Sequence, residues 1–378
     1  MGTTILHPVV GLGGTHVRYV HAERAVAGKR FSGMPTIIGD PVRLKCVRNN
    51  AGVDLKGTLD LVAKGIGTSM PAGVTEFVGI DAPGAWQENG LPYLGTTPNI
   101  PDLDSYNFAD QFPKMLGPGW KATVNNDGVA SVLAISQMLL MNLDKFPEIQ
   151  ALLSEENAGL AGFVPGTGFG AGAFRVNQML AKPVPGPQQF FDIMLWEGPD
   201  FLNCGWITPE TACAGTGFKF QAERSLLGER YPEEKITGNF IRKLAFLNDP
   251  TTAREERIVA LDIYRNAAKG LAETMKLTYS GGEPGRSRKA VVNTPNDVEY
   301  DFWENVQGTR VFILGGWLTD PSVKGFISKG LTSELEGFEP KLIPVFADEI
   351  PGVREMIASD TTELIGASLL MPEEYAKG

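Results

Sequence analysis

The sequence predicts an α/β protein with two lobes around a central cleft. Its 378 residues are more than one hydrophobic core usually supports, so two domains are expected. Predicted strands alternate with predicted helices, and a strand, a glycine-rich turn and a second strand occur at residues 4–22 and again at 160–179. We expect an N-terminal lobe over residues 1–125, a C-terminal lobe over 126–357, and a last helix at about 358–378 that returns to the first lobe.

The first lobe begins with a predicted hairpin. Residues 4–10 are rich in strand formers, GLGG makes a tight turn, and residues 16–21 return as the second arm. Apolar residues recur at helical spacing over residues 55–66, and residues 77–80 read as a short buried strand. This order predicts a sheet with a helix packed on it.

Strands and helices also alternate through the rest of the chain. Residues 160–164 lead as a strand into GTGFGAG, residues 174–179 return, and residues 311–314 form a short apolar strand. Asp127 opens an apolar helix that runs to about residue 143, with Asn126 or Asp127 as its N-cap. Further helices are predicted at residues 208–227, 236–247, 253–277 and 361–371.

Composition and charge exclude several classes of protein. The net charge of −10 argues against a general nucleic-acid binder, which needs clustered Lys and Arg. Three cysteines without paired spacing indicate reduced thiols and a cytoplasmic location. No stretch reaches the roughly 20 apolar residues that span a bilayer, and the N-terminus lacks the pattern of a signal peptide. We therefore expect a cytoplasmic protein with no nucleic-acid or membrane partner.

Two glycine-rich turns are candidate phosphate sites. Glycine lets the backbone come close to a ligand, so that consecutive N–H groups can point at phosphate oxygens. Neither turn is followed by the lysine of a Walker loop, and the second departs from the Rossmann spacing. Each turn alone is a weak signal, because glycine-rich hairpins are common. The candidate residues are Gly13, Gly14 and Thr15 in the first turn, and Gly166, Thr167, Gly168 and Gly170 in the second.

The order of several motifs is more specific than any one of them. The motifs are GLGGT at 11–15, GIDAPG at 79–84, PNIP at 98–101, NDG at 126–128, GTGFGAG at 166–172, a helix-start Glu at 210, GG at 315–316 and IGAS at 365–368. In this order the sequence resembles the ROK family of sugar kinases over nearly its whole length. The resemblance implies an actin-like ATPase (ribonuclease H-like) fold and the phosphorylation of a hexose hydroxyl by ATP and Mg²⁺. It also implies a homodimer.

The resemblance assigns roles to single residues. Asp127 matches the catalytic aspartate, the general base that takes the proton of the sugar hydroxyl, although an Asp at a helix start is often only a cap. The two glycine-rich turns would hold the ATP phosphates. The positions that match sugar-binding residues are Asn99, Asn126 and Glu210, and those expected against the adenosine are Gly315 and Gly316.

The chain departs from the family pattern at three places. Gly11 stands where the family has the first aspartate of its phosphate motif, a carboxylate that helps to organise Mg²⁺, and Asp81 is the candidate to compensate. The His and three closely spaced Cys of the family's zinc site are missing, so we expect no structural zinc, and we assign no metal-ligating residue. The sequence begins at the first phosphate strand without a helix-turn-helix, which argues against DNA binding.

Two other functions share these motifs. A catalytically silent sugar or nucleotide sensor is favoured by Gly11, whereas the intact Asn126–Asp127 pair favours a kinase. A phosphotransferase with a different acceptor, or with polyphosphate as its donor, is the other alternative. The sensor is distinguished from the ATP-dependent sugar kinase because it would bind its ligand and release no ADP. Tests with alternative acceptors and donors would reveal the other phosphotransferase.

Overall fold

Two five-stranded sheets with the same connectivity form the framework of this computed structural model. Each sheet has an antiparallel meander of three strands, followed by two strands that run parallel to the first strand of the meander. The repetition confirms the duplication predicted from the sequence. The structure describes residues 3–50, 52–87, 89–92, 100–155, 158–177, 180–184, 193–199, 205–247, 250–282 and 305–377.

The first sheet is built from the N-terminal third of the chain. The strands there are β1 Thr3–Leu12, β2 His16–Ala27, β3 Arg30–Lys45, β4 Arg48–Asn49, β5 Gly52–Val53, β6 Phe77–Ala82 and β7 Lys121–Asn126. The sheet order is β3–β2–β1–β6–β7, while β4 and β5 pair only with each other. The carboxyl ends of β1, β6 and β7 therefore lie at one edge of the sheet.

The second sheet repeats this order. Its region contains β8 Ala158–Pro165, β9 Phe169–Asn177, β10 Leu180–Pro183, β11 Trp196–Glu197, β12 Trp206–Ile207, β13 Val311–Leu314 and β14 Ile343–Phe346. The sheet order is β10–β9–β8–β13–β14, and β11 pairs with β12 outside it.

Helices cover both sheets. They are α1 Leu55–Ser69, α2 Phe108–Leu116, α3 Asp127–Leu140, α4 Pro147–Leu153, α5 Pro209–Cys213, α6 Gly215–Glu223, α7 Leu226–Arg230, α8 Gly238–Phe246, α9 Arg254–Ser280, α10 Pro321–Glu334, α11 Val353–Ala358 and α12 Thr362–Leu369. Single 3₁₀ turns lie at Pro101–Ser105, Leu143–Lys145, Glu233–Lys235, Gly316–Thr319, Ala347–Glu349 and Glu373–Lys377. No helix in the described ranges is long and apolar enough to cross a bilayer.

Two helices cross from one sheet to the other. α3 follows β7 of the first sheet but packs on β8, β9 and β10, whereas α12 follows β14 of the second sheet but packs on β1 and β6. Leu364 and Ala367 of α12 share an apolar cluster with Val9 and Val20 of the first sheet. The two helices touch each other where a Cβ on Gly366 would overlap the backbone of α3. This pair joins the lobes and places the start of α3 between them.

One predicted helix is wrong in its extent. The stretch at residues 208–227 is divided among α5, α6 and α7, because Ala214 is extended and the N–H of Gly215 turns away to donate to the Gly166 carbonyl at 2.9 Å. A contact across 49 residues of sequence therefore overrides the local helical spacing. The predicted last helix, at residues 361–371, is confirmed as α12, and Asn126 is the N-cap of α3. The division of the chain at residues 126 and 358 stays a prediction.

Candidate active site between the lobes

Asn126 fixes the start of α3. Its Oδ1 accepts the N–H groups of Gly128 at 2.8 Å and Val129 at 3.3 Å, which satisfies two donors that a helix start leaves free. Its Nδ2 donates to the Gly84 carbonyl at 2.9 Å, in the loop after β6. Asn126 therefore ties α3 to the first sheet, and Asp127 is presented as the first residue of the helix.

Gly128, the residue after Asp127, packs against the second glycine-rich motif. A Cβ at position 128 would lie 2.8 Å from the Gly170 Cα and 3.0 Å from the Ala171 N, so only glycine fits there. The start of α3 and the start of β9 are thus in backbone contact. This contact brings the motif that contains Asp127 next to the second glycine-rich motif, although the two contacting glycines are 42 residues apart in sequence.

The Asp127 carboxylate is suited to accept a proton. Its side chain is open to solvent, and its Oδ1 accepts the Gly128 N–H at 2.8 Å. The protein atoms packed around the carboxylate replace part of its hydration and thereby raise the pKa of Asp127. The Glu363 charge also raises this pKa, whereas the Gly128 N–H and the Arg18 charge lower it. A raised pKa makes the carboxylate a stronger base near neutral pH.

The second turn is held by groups that the sequence analysis did not connect with it. Gly215 and Thr216, at the start of α6, donate their N–H groups to the carbonyls of Gly166 at 2.9 Å and Thr167 at 3.1 Å. The backbone N–H groups of Thr167 and Gly168 donate to no residue that the structure describes. A rigid turn with two unused N–H groups is a suitable cradle for an anion.

Glu210 is part of the support of this turn. Its Oε2 accepts the Phe169 N–H at 2.6 Å, and its Oε1 accepts the Thr216 hydroxyl at 2.8 Å. Burial raises the pKa of Glu210, and the two hydrogen bonds lower it. A carboxylate has about four acceptor positions, so both oxygens can still accept a ligand hydroxyl. The predicted sugar contact of Glu210 stays a prediction, beside a structural role that the sequence did not indicate.

We predict that replacing Glu210 by Ala loosens the second turn. Hydrogen bonds to a charged group contribute about 1.5–3 kcal/mol each, so loss of the two bonds should lower the free energy of unfolding by about 3 kcal/mol or more. If the turn holds the nucleotide phosphates, the affinity for AMPPNP should fall about tenfold. Chemical denaturation and calorimetry measure the two quantities. Glu229→Ala is the control, because Glu229 is exposed on α7. An unchanged AMPPNP affinity in Glu210→Ala would argue against this support.

The first turn has a different set of contacts. The Gly13 N–H donates to the His16 carbonyl at 2.9 Å and closes the turn. Cys46 donates its N–H to the Thr15 carbonyl at 3.0 Å, and the Arg48 guanidinium donates to the Gly14 carbonyl at 3.1 Å. Arg48 is exposed and adds a positive charge beside the turn, although its strand is too short to be found from the sequence pattern.

Next to the second turn lies a cavity of about 730 Å³, a size that suits a nucleotide-sized ligand. Trp317, Phe218 and Tyr264 supply its aromatic wall. The Trp317 indole N–H donates to the Cys213 carbonyl at 2.9 Å, which fixes the ring. The other residues lining the cavity are Gly166, Thr167, Gly215, Thr216, Lys219, Glu233, Glu234, Ile236, Thr237, Gly238, Asn239, Arg242, Asp320 and Val323.

Close packing against the end of β8 explains why glycine occupies positions 315 and 316. A Cβ on Gly315 would lie 2.7 Å from the Val164 Cγ1, and one on Gly316, whose φ is +59°, would overlap the Pro165 carbonyl. The chain can therefore follow the end of β8 closely and place Trp317 in the cavity. Contact of the two glycines with adenosine stays a prediction.

One predicted site residue cannot be placed. Asn99 falls outside the described residues, so its predicted sugar contact stays a prediction. Within the described ranges no three His, Cys, Asp or Glu side chains gather in a way that could hold a metal ion.

The chain has a mixed α/β fold of the actin-like ATPase type, and this fold is similar to that of ROK-family sugar kinases. A ROK family glucokinase from Streptomyces griseus, in complex with glucose and AMPPNP, superposes with a TM-score of 0.52 at 19% identity, over 96% of this chain and 97% of that one. The ROK hexokinase from Thermus thermophilus superposes with a TM-score of 0.55 at 16% identity, over 97% of each chain.

A regulator shares the same fold. A ROK family transcriptional regulator, a homolog of the E. coli MLC protein, superposes with a TM-score of 0.53 at 15% identity, over 99% of this chain and 81% of that one. No protein-family model and no curated protein sequence matches the chain. The structural likeness confirms the predicted fold class.

Proposed function

We propose that this protein transfers the γ-phosphate of ATP to a hydroxyl group of a hexose, with Asp127 as the general base. The observation that carries the proposal is the backbone contact between Gly128 and Gly170, which sets Asp127 beside the second glycine-rich turn. Phosphoryl transfer depends mainly on positioning and charge neutralisation, so a base next to a phosphate cradle is the arrangement it needs.

The nucleotide would lie across the second lobe. The adenosine would occupy the cavity beside Trp317, and the phosphates would run past Thr167 and Gly168, whose N–H groups are unused by the described residues. This direction carries the γ-phosphate toward Asp127. The first turn, at Gly13 and Gly14, would close on the phosphates from the other lobe and exclude water.

The sugar would lie on the other side of Asp127. Asn126 donates one amide hydrogen to Gly84 and retains a second for a ligand hydroxyl. Glu210 has acceptor capacity left, and Asn99 is the further candidate. Asp127 would accept the hydroxyl proton as the sugar oxygen attacks phosphorus, a step to which a general base typically contributes about 10²–10⁴-fold.

Magnesium fits the residues present. Mg²⁺ that accompanies a nucleotide is usually bound by phosphate oxygens, water and one or two carboxylates, so a closed cage of protein ligands is not needed. Asp81, beside the first turn, has a buried Oδ2 to which no described residue donates. Bound Mg²⁺ would supply charge neutralisation on the phosphates, and Asp81 and Asp127 are the carboxylates that would support it. A homodimer is part of the same proposal.

The test is ADP release from Mg-ATP across a panel of glucose, mannose, fructose, allose and N-acetylated hexosamines. We expect ADP release that depends on one sugar and is absent without it. Thermal unfolding with the same sugars, with and without AMPPNP, is run in parallel. Release of no ADP with any sugar, despite stabilisation by ligand, would contradict the kinase.

A catalytically silent sensor is the second candidate. Gly11 in place of the family aspartate favours it, and so does the regulator that shares this fold. The sensor predicts that sugar or nucleotide raises the unfolding temperature while no ADP forms. A different acceptor or donor would instead give turnover outside the hexose panel or with polyphosphate.

A further inference from the structure

A row of three residues crosses the first sheet at the first glycine-rich turn. Gly11 on β1 is directly opposite Asp81 on the parallel strand β6 and directly opposite Arg18 on the antiparallel strand β2. Residues directly opposite each other on paired strands share a face of the sheet. Arg18 and Asp81 therefore flank a position that has no side chain.

The Asp81 carboxylate fills the space that Gly11 leaves. A Cβ on Gly11 would lie 3.0 Å from the Asp81 Oδ2, 3.2 Å from its Oδ1 and 3.3 Å from a methyl group of Leu364. These distances are shorter than nine in ten Cβ contacts in proteins, so a side chain at position 11 would require the carboxylate to move. The positions 11 and 81 together have room for one carboxylate.

One carboxylate oxygen of Asp81, Oδ2, is buried without a hydrogen-bond donor among the described residues. The whole residue is 2% exposed. Arg18 is the nearby cation, but it is already paired with Asp360 at 2.8 Å and Glu363 at 3.2 Å. Burying a carboxylate oxygen without a hydrogen-bond donor is costly, so a group that does so is a candidate for function.

The charges around Asp81 favour an added cation. Burial raises the pKa of Asp81 well above its ordinary value, and the negative charges of Glu363 on α12 and Asp127 on α3 raise it further. Only Arg18 acts in the opposite direction among the charges that contribute. A cation between this row and the nucleotide phosphates would offset the excess of negative charge.

We propose that Asp81 is a positioning residue for the cation that accompanies the nucleotide phosphates, and that it supplies from β6 the carboxylate that β1 lacks at Gly11. The proposal rests on the function proposed above. The proposal extends that function because it names the residue that would allow turnover although position 11 is a glycine. Because Asp81 is buried, it acts on the cation through bound water or through the backbone of the first turn, rather than as an exposed ligand.

The test measures the Kd of AMPPNP by calorimetry, with and without Mg²⁺. In the parent protein we expect Mg²⁺ to tighten binding. Asp81→Asn keeps the shape of the side chain and should lose most of this gain, since loss of an outer-shell carboxylate costs about 10–100-fold. Asp54→Asn is the matched control in the same lobe, because Asp54 caps α1 through the Gly57 N–H and Asn caps equally well.

A second experiment moves the carboxylate from position 81 to position 11. Gly11→Asp alone places two carboxylates in a space that holds one, and it should weaken both the fold and the Mg²⁺ effect. The double variant Gly11→Asp/Asp81→Ala should recover the Mg²⁺-dependent gain that Asp81→Asn loses. Thermal unfolding of each variant establishes that it is folded before binding is compared.

The outcomes separate this inference from the proposed function. An Asp81→Asn protein with the same Mg²⁺-dependent gain as the parent would overturn the inference alone, and so would a double variant with no recovery. A parent that binds AMPPNP equally well with and without Mg²⁺ would also overturn it. A parent that binds no nucleotide under either condition would overturn the proposed function itself.

Discussion

Replacing Asp127 by Asn is expected to lower kcat by about 10²–10⁴-fold while the Kd values for sugar and nucleotide change little. Asn has nearly the shape of Asp but cannot take the proton of an attacking hydroxyl. Asn126, not Asp127, caps α3, so the helix start should survive the change. Steady-state ADP release gives kcat, and calorimetry gives the two affinities.

The pH profile of the same reaction is a second readout of Asp127. The base must be deprotonated, so activity is present above its pKa and is lost as the pH falls through it. Since its surroundings raise the pKa of Asp127, the acid limb of kcat/KM should lie above the ordinary range of an aspartate. Asp110→Asn, in the first turn of the Asn-capped helix α2, is the control. An Asp127→Asn enzyme with parental kcat would remove Asp127 from the mechanism.

Replacing Gly366 by Ala is expected to lower the free energy of unfolding by about 3 kcal/mol, at the upper end of overpacking effects. The added methyl group would overlap the Ala130 carbonyl oxygen of α3. That atom belongs to a helix backbone, so it cannot rotate away as the end of a side chain would. Relief requires α3 and α12 to separate, and these helices join the two lobes.

Gly325→Ala is the matched control for this helix contact. Gly325 lies on α10, and a Cβ there would meet no atom within 4 Å. Removing a glycine from a helix without a clash should raise stability by up to about 1 kcal/mol. Urea denaturation of both variants measures the difference. Equal stability of Gly366→Ala and Gly325→Ala would contradict the close contact of α3 with α12.

Much of the framework could be predicted from the sequence because its signals are local. The strand, glycine turn and strand at residues 4–22 and 160–179 correspond to β1–β2 and β8–β9 of two sheets with the same order. The apolar run after Asp127 forms a buried helix, and Asn126 caps it, as short polar side chains do at helix starts. These features depend on neighbours within a few residues.

The features of the candidate site that were not predicted depend on contacts between distant parts of the chain. Glu210 reaches the Phe169 N–H across 41 residues, so its support of the second turn has no local signal. Trp317 lines the cavity because Gly315 and Gly316 follow β8 closely. This arrangement results from tertiary packing, which the local sequence pattern does not indicate. The pairing of Gly11 with Asp81 follows from the register of two parallel strands, which spacing alone does not fix.

The most direct test of the proposed sugar-kinase function is to follow the γ-phosphate of ATP into the products. Parent protein and Asp127→Asn are incubated with Mg²⁺, ATP labelled in its γ-phosphate and the sugar that gave the most ADP release, and the products are separated. We predict label on the sugar with the parent, formed about 10²–10⁴-fold more slowly by Asp127→Asn. Label that stays in ATP, or that appears only in inorganic phosphate while the sugar remains unlabelled, would contradict a sugar kinase.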